Sequence, residues 1–397
     1  MKSEWKTIRA ADFMEFNPRM NLKKGTIATK ISMDKLQPYT KKIPETEQAE
    51  FSGGTKFSNS DTIMARITPC LENGKTAFVD CLNKDEVAFG STEFIVLRAK
   101  PGVSDAQFVY YLATSPEFRQ VAIKSMVGSS GRQRVQQPVL ENLELVVPEL
   151  PEQKRIGEFL AAIDDKIALN AKINDNLEQQ AVALFKSWFV DFSLFGGTVP
   201  ENWEDTTLEN ITTLITRGIA PKYSDNSDQT VVNQKCIRNH TIDLSLARTH
   251  TPKAINEKWL KFGDLLINST GDGTLGRVAQ VWFAPKALTV DSHVTIVRPA
   301  REELIFYIGL WGILHEKEIE SLHTGSTGQT ELPRDRVKKL KLLLPDNISL
   351  SRFNSIIAPM ASTIISNQEE NQKLASLRDT LLPKLMSGEI DVSSIQL

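Results

Sequence analysis

The chain has 397 residues, 41% of them hydrophobic and 24% charged, with a formal net charge of −2. That is an ordinary globular composition, long enough for two or three domains, and it lacks the basic excess of a generic nucleic-acid coat. Cys70, Cys81 and Cys236 are scattered with no CxxC pair, so neither a disulfide framework nor zinc-ligand spacing is present and a reducing compartment is expected. The opening MKSEWKTIRAADF lacks the apolar core of a signal peptide and no run of 18 apolar residues occurs, so a cytoplasmic location with no membrane span is expected.

In chain order, residues 1–42 form a basic stretch with ten Lys or Arg against four Asp or Glu. Asp61-Thr-Ile-Met, STEFIVLRAK (91–100) and LELVV before Pro148 have the β-branched, apolar character of buried strands, and 105–126 has that of helix. From Ile156 to Trp188 the apolar positions alternate steps of four and three, a 3.5-residue repeat kept over more than four heptads, with Asn170 and Asn174 in the seam. This predicts a coiled-coil helix of about 37 residues, about 55 Å long. Pro151 suits its first turn, and no comparable stop appears before Phe192. A helix of that length needs a partner to cover its seam.

The partner lies in the same chain. At an offset of 197 residues the seam recurs from Phe353 to Leu385, again with Asn at two positions, Asn367 and Asn371. Buried Asn costs stability but selects register. The duplication reaches beyond the helices. Gly128-Ser-Ser-Gly131 and Gly325-Ser-Thr-Gly328 each precede a proline, Pro148 and Pro345, by 20 residues; DSHVTIVRPA (291–300) matches STEFIVLRAK, Asp264-Leu-Leu-Ile matches Asp61-Thr-Ile-Met, and NWEDTTLENI (202–211) echoes EWKTIRAADF. The expected fold is α+β: two similar mixed α/β globular domains, 1–148 and 193–345, separated by a pair of long helices, 149–192 and 346–397, in a pseudo-two-fold internal repeat. Antiparallel pairing is favoured over parallel. Pro359 is expected to kink the second helix and Pro383 to end it.

No catalytic constellation is legible. The five histidines form no HxxxH or HExxH, no GxSxG or GxxxxGK[ST] occurs, and Asn17-Pro-Arg-Met fails the Asn-Pro-Pro-aromatic pattern of an amino-methyltransferase. Gly271–Gly276 is glycine-rich but lacks the lysine of a phosphate loop, and Asp164-Asp165, beside the seam, is expected to be solvated. No catalytic residue and no metal ligand is expected. Two similar heads on a stiff spacer suit a ligand with two spaced sites, such as duplex DNA read half-site by half-site. A protein-interaction scaffold built on a coiled coil is the alternative.

EQKRIGEFLAAIDDKI, ALFKSWFVDF, LLPKLMSGEI, ARITPCLENGK (65–75), STEFIVLR and the two Gly-Ser loops, spread over both halves, together make the chain resemble the specificity subunits of type I restriction-modification systems. The resemblance implies two target-recognition domains, each reading one part of a split DNA site, with the paired helices setting the spacing. It implies assembly with two modification subunits, which bring S-adenosylmethionine chemistry, and with restriction subunits, which bring ATP- and magnesium-dependent translocation and cleavage. It implies a non-catalytic chain with no cofactor of its own.

A split asymmetric site needs two different readers on one scaffold. Features shared by both halves are therefore expected to be scaffold or phosphate contacts, and features that differ to read bases. The shared loops supply Ser129, Ser130, Ser326 and Thr327, followed by Arg132, Gln133, Arg134 and by Gln329; they suit phosphate, or a turn supporting the last strand. Candidate base readers are Arg19, Lys23, Lys24, Lys30 and Arg66 in the first half. In the second they are Lys222, Tyr223, Lys235, Arg238, Asn239 and His240, with Ser269 and Thr270 in the turn reaching Thr274. Off the main seam, Phe159, Ile173, Phe185, Phe189, Ile356 and Leu382 are expected to meet helices of the modification subunits; for Phe189 and Phe192, packing onto the chain's own domains is the equal alternative.

Overall fold

The computed structural model describes residues 5–129, 131–325 and 330–392. In chain order the first half contains β1 (Lys6–Arg9), α1 (Ala10–Phe13), β2 (Met14–Phe16), β3 (Ile27–Ile31), β4 (Glu47–Glu50), β5 (Thr55–Phe57), β6 (Thr62–Ala65), β7 (Thr76–Phe78), β8 (Ala88–Gly90), β9 (Phe94–Ala99), α2 (Ala106–Thr114), α3 (Pro116–Lys124), α4 (Gln137–Glu141) and β10 (Glu144–Val147), then the long α5 (Leu150–Phe189). The second contains β11 (Glu204–Thr207), β12 (Thr212–Arg217), β13 (Thr230–Val232), β14 (Ile237–Arg238), β15 (Thr241–Ile242), β16 (Arg248–Thr249), β17 (Leu265–Asn268), β18 (Val278–Gln280), β19 (Leu288–Val290), β20 (Val294–Pro299), α6 (Ile305–Leu314), α7 (Glu316–Ser321), α8 (Arg334–Lys338) and β21 (Lys341–Leu344), then the long α9 (Asn347–Met386).

The chain divides into two units, Met1–Asn170 with Glu369–Leu397, and Ala171–Gln368, so each long helix contributes one half to each unit. The repeat seen in the sequence is a repeat of topology in the main sheet, whereas the second sheet has four strands in unit 1 and three in unit 2, which also carries the hairpin β14/β15. Unit 1 has an antiparallel sheet of order β2-β9-β6-β7, and unit 2 has β12-β20-β17-β18 in the same places. The central strands FIVLRA and VTIVRP bury their first four residues completely, as strands covered on both faces do. A second sheet contains the parallel pair β3/β8 in unit 1 and β13/β19 in unit 2. The ribbons β1/β10 and β11/β21 bring the start of each unit beside the strand that feeds its long helix.

The matched Asp and Arg of the repeat form one ion pair in each unit. Arg98 donates from Nε and Nη2 to Asp61 at 2.6 Å; Arg298 does so to Asp264 at 2.8 and 2.7 Å. Both carboxylates are buried, and each also accepts a backbone N–H from three residues upstream, Ser58 and Lys261. The buried charge is thus paired and hydrogen-bonded, the condition under which burial is tolerated.

Within each unit the α5 and α9 segments run antiparallel. In unit 1 Asn170 donates to Asn371 at 2.9 Å and to Glu370 at 2.6 Å, and Asn371 donates to the Ile167 carbonyl. In unit 2 Asn367 donates to Asn174 at 2.8 Å. The seam asparagines therefore bond one another across the helix pair, although the buried Asn170 Oδ1 has no hydrogen-bond partner among the described residues. Gly157 is required by packing: a Cβ there would come within 2.9 Å of Asp105 Oδ1 and Gln107 Cβ, at the N-terminus of α2.

Several expectations are corrected. Asp164 is not solvated but 5% exposed, because it accepts from Arg378 Nη1 and from the Tyr111 hydroxyl, both at 2.6 Å. Asp165 is exposed and paired with Lys42 at 2.8 Å. The helix expected to run to Phe192 ends at Phe189, and Phe192 adopts a left-handed conformation. Pro383 does not end the second helix: α9 runs unbroken through Pro359 and Pro383 to Met386, ahead of a left-handed Gly388. The partner-facing flank is mostly interior. Phe159 and Leu382 lie in the core of unit 1, and Phe185 and Phe189 in that of unit 2; only Ile173 and Ile356 remain exposed. Large aromatic rings gain most by burial against the sheets and α6 of their own unit.

Asp346, which precedes α9, accepts from the Ser349 N–H and hydroxyl, the Ile348 N–H and the Trp203 indole at 2.8–2.9 Å. Desolvation raises its pKa, but these donors outweigh it and hold the carboxyl at about 2. A folded-state pKa below the unfolded value means that stability is present above the unfolded pKa and lost as pH falls through the folded one. The advantage of the native chain over Asp346→Asn is therefore expected to be full at pH 7, to shrink below about pH 4 and to vanish near pH 2. Denaturant unfolding followed by tryptophan fluorescence at each pH checks this.

Candidate nucleic-acid interface

One frame of backbone hydrogen bonds is built twice. In unit 1 the Arg66 N–H donates to the Glu93 carbonyl and the Arg66 carbonyl accepts from Val135, both at 2.9 Å. Arg134 is bridged to Ile67 and to Val127. In unit 2 the Ser269 N–H donates to the His293 carbonyl and its carbonyl accepts from Leu332, both at 2.8 Å, while Glu331 is bridged to Thr270 and Thr324. The strap that closes each frame follows the Gly-Ser loop, where Gly128, Gly131 and Gly325 take positive φ. These glycines let the chain turn back on itself without a side-chain penalty.

The side chains on the two frames differ. Arg134 donates to Glu93 from Nε at 3.0 and 2.9 Å and from Nη2 at 2.6 Å. The hydrogen-bonded guanidinium holds the Glu93 carboxyl below its ordinary pKa, and the pairing raises that of Arg134. In unit 2 Glu331 pairs with Arg217 at 2.7 Å, and His293 Nδ1 lies 2.7 Å from the Thr270 hydroxyl.

The sequence candidates fall into three groups. Arg19, Lys23, Lys24, Ser129, Arg132, Arg134, Lys222, Tyr223, Lys235, Arg238 and Asn239 are exposed. Arg238 ends β14 and Asn239-His240 is the two-residue turn into β15, with φ of 48° and 60°. Positive φ at both residues is the type I′ geometry that tight hairpins require. His240 Nε2 lies 3.4 Å from Glu316, and that contact raises its pKa against desolvation. Tyr223 carries the Arg248 guanidinium 3.8 Å above its ring.

A second group is engaged by partners within the chain. Lys30 is paired with Glu47 at 2.7 Å, Arg66 donates to the Val135 carbonyl at 3.2 Å, Gln133 is bonded through its backbone to Thr68, and Thr270 lies between His293 and Gln234. Ser269 is corrected outright. It is fully buried, its hydroxyl 2.6 Å from that of Thr295, because the residue that follows β17 sits under the strap. Ser130, Ser326, Thr327 and Gln329 lie outside the described residues. Glu93, Arg217, His293 and Glu331 were not among the candidates. Aligning Glu93 with His293 in the matched STEFIVLR and DSHVTIVR segments, and Arg134 with Glu331 at the 197-residue offset, would have found three of the four.

Two units with a matching four-stranded antiparallel sheet carry different polar side chains on a common frame. Residues 2–179 match the family model described as the type I restriction modification DNA specificity domain. The chain is 26% identical to the type I restriction enzyme MjaIX specificity subunit of Methanocaldococcus jannaschii over 316 residues, which is 73% of this chain and 70% of that protein. It is 23% identical to the HindI specificity subunit of Haemophilus influenzae, over 84% of this chain and 87% of that one. Its fold is that of the crystal structure of a type I restriction-modification system S subunit from M. genitalium, with a TM-score of 0.56 at 16% identity over 96% of each chain. Residues 2–179 are thus similar to the DNA specificity domain of type I restriction-modification systems, and the chain along most of its length is similar to specificity subunits of those systems.

Proposed function

We infer that this chain is the sequence-specific DNA-recognition subunit of a type I restriction-modification complex. Each unit reads one half of a split DNA site, and the long helices set the distance between the halves and dock two modification subunits. Restriction subunits complete the assembly. Methylation and cleavage, with S-adenosylmethionine, ATP and magnesium, belong to those partners; this chain is non-catalytic, holds no cofactor of its own and works in the cytoplasm. Among the described residues no helix is long and apolar enough to cross a membrane.

The observation that carries this reading is the pairing of a common backbone frame with unlike side chains, Arg66, Glu93 and Arg134 against Ser269, His293 and Glu331. Unlike side chains on a shared frame suit the reading of two unlike half-sites, since contacts to DNA phosphates position a protein and contacts to base edges specify the sequence. Mapping methylated bases in cells that carry the modification subunits, with and without this chain, tests it. A methylated motif of two fixed parts around an unspecified gap is expected, present only with the chain. A contiguous motif, or the same motif without the chain, would refute it.

A further inference from the structure

The frame of unit 1 holds an arginine in an unusual state of readiness. Glu93 engages Arg134 along one edge of the guanidinium, through Nε and Nη2. Among the described residues nothing hydrogen-bonds Nη1. The Arg134 side chain is 46% exposed, so the ion pair contributes little to folding. What it does accomplish is orientation. A planar guanidinium held on its Nε edge offers Nη1 and the remaining Nη2 hydrogen outward as a parallel pair of donors, which matches O6 and N7 of guanine in the major groove. The backbone bridges to Ile67 and Val127 fix the residue that carries it. At the matching position of unit 2 stands Glu331, a carboxylate tied to Arg217, and Glu93 is replaced by His293 bonded to Thr270. The two units thus present opposite charge at one point of a shared frame.

Building on the DNA-reading function above, we propose that Arg134 is a specificity-determining residue that reads a guanine in the half-site of unit 1. Glu93 is its positioning residue, setting the plane of the guanidinium. Glu331 and His293 occupy the corresponding place in unit 2, so that unit 2 does not demand guanine there.

The test uses the whole chain assembled with its modification subunits, methylating a pool of duplexes randomised one base pair at a time across the recognised site. Arg134→Ala and Arg134→Lys are both expected to lose the preference for guanine at one position of one half-site by about 10–100-fold, with the other half-site unchanged. Lysine keeps the charge but has no planar fork. Glu93→Gln is expected to lower the same preference by a smaller factor at that same position. Restoration of the full preference by Arg134→Lys, or an equal loss at every position of the site, would overturn the proposal by making Arg134 a phosphate contact or a folding residue. An unchanged preference in Arg134→Ala would overturn it as well, while leaving the DNA-reading function intact. A wild-type complex with no split-site preference would instead remove that function, and the proposal with it.

Discussion

Asp164→Ala is expected to destabilise unit 1 by about 3–5 kcal/mol, the usual cost of stranding one partner of a buried ion pair. Asp164 accepts from Arg378 Nη1 on α9 and from the Tyr111 hydroxyl on α2, so its loss leaves a buried hydroxyl and a mostly buried guanidinium without their acceptor. Arg378 retains Asp379, 2.9 Å from its Nε, which favours the lower end of the range. Unit 2 solves the same place without charge. At the 197-residue offset Asp164 corresponds to Ala361 and Arg378 to Ala181, and both alanines are buried. The triple variant Asp164→Ala, Arg378→Ala, Tyr111→Phe, which brings in the apolar chemistry of unit 2, is therefore expected to recover much of the loss, since replacing all partners of a buried polar cluster is far milder than removing one. Urea unfolding, with hydrogen exchange followed on peptides covering 156–170, reads both variants. A single variant costing under about 1 kcal/mol, or a triple variant as unstable as the single, would show that the cluster does not hold α5 to α2 and α9.

Phe353→Ala is expected to cost unit 2 about 3–5 kcal/mol. Phe353 is fully buried, with the rings of Phe189, Trp188 and Phe185 centred 4.8, 5.6 and 6.0 Å from its own. Phe189 in turn packs on Trp203 at 5.5 Å and on Tyr307 at 5.0 Å. This cluster joins α5, α9, α6 and the segment before β11, and a close-packed core refills only part of the cavity left by one ring. The near-ultraviolet signal of Trp188 and Trp203 should weaken along with stability, whereas unit 1, which has Ile156 at the matching seam position, should keep its own unfolding free energy. A loss below about 1 kcal/mol would mean that the aromatic cluster is redundant.

Both predictions concern residues whose surroundings the sequence places only in part. Heptad spacing puts Phe185 and Phe189 on a helix and marks them as apolar in excess of a two-helix seam; it does not say what covers them. The same rings serve a partner subunit or their own domain equally well in one dimension. The folded chain decides for the domain, leaving Ile173 and Ile356 as the exposed members of that flank. Asp164-Asp165 shows the same division. Adjacent helix positions point about 100° apart, so one carboxylate is buried against Arg378 and the other meets Lys42 at the surface. The shared frame was legible at its glycines, but the pairing of Glu93 with Arg134 was not, because the two stand 41 residues apart.

The sequence by itself determined that one α/β unit with its long helix is written twice, that the two helices share a seam, and that asparagine occupies two places in it, because periodicity and offset are properties of order along a chain. Only the tertiary structure decided which seam residues are charged pairs, which aromatic rings are interior, and which side chains stand on the common frame of each unit. The physical reason is reach. The partners that settle a residue's role here lie up to 214 positions away, and burial, not composition, makes Asp164 a structural ion while Arg134 stays half in water.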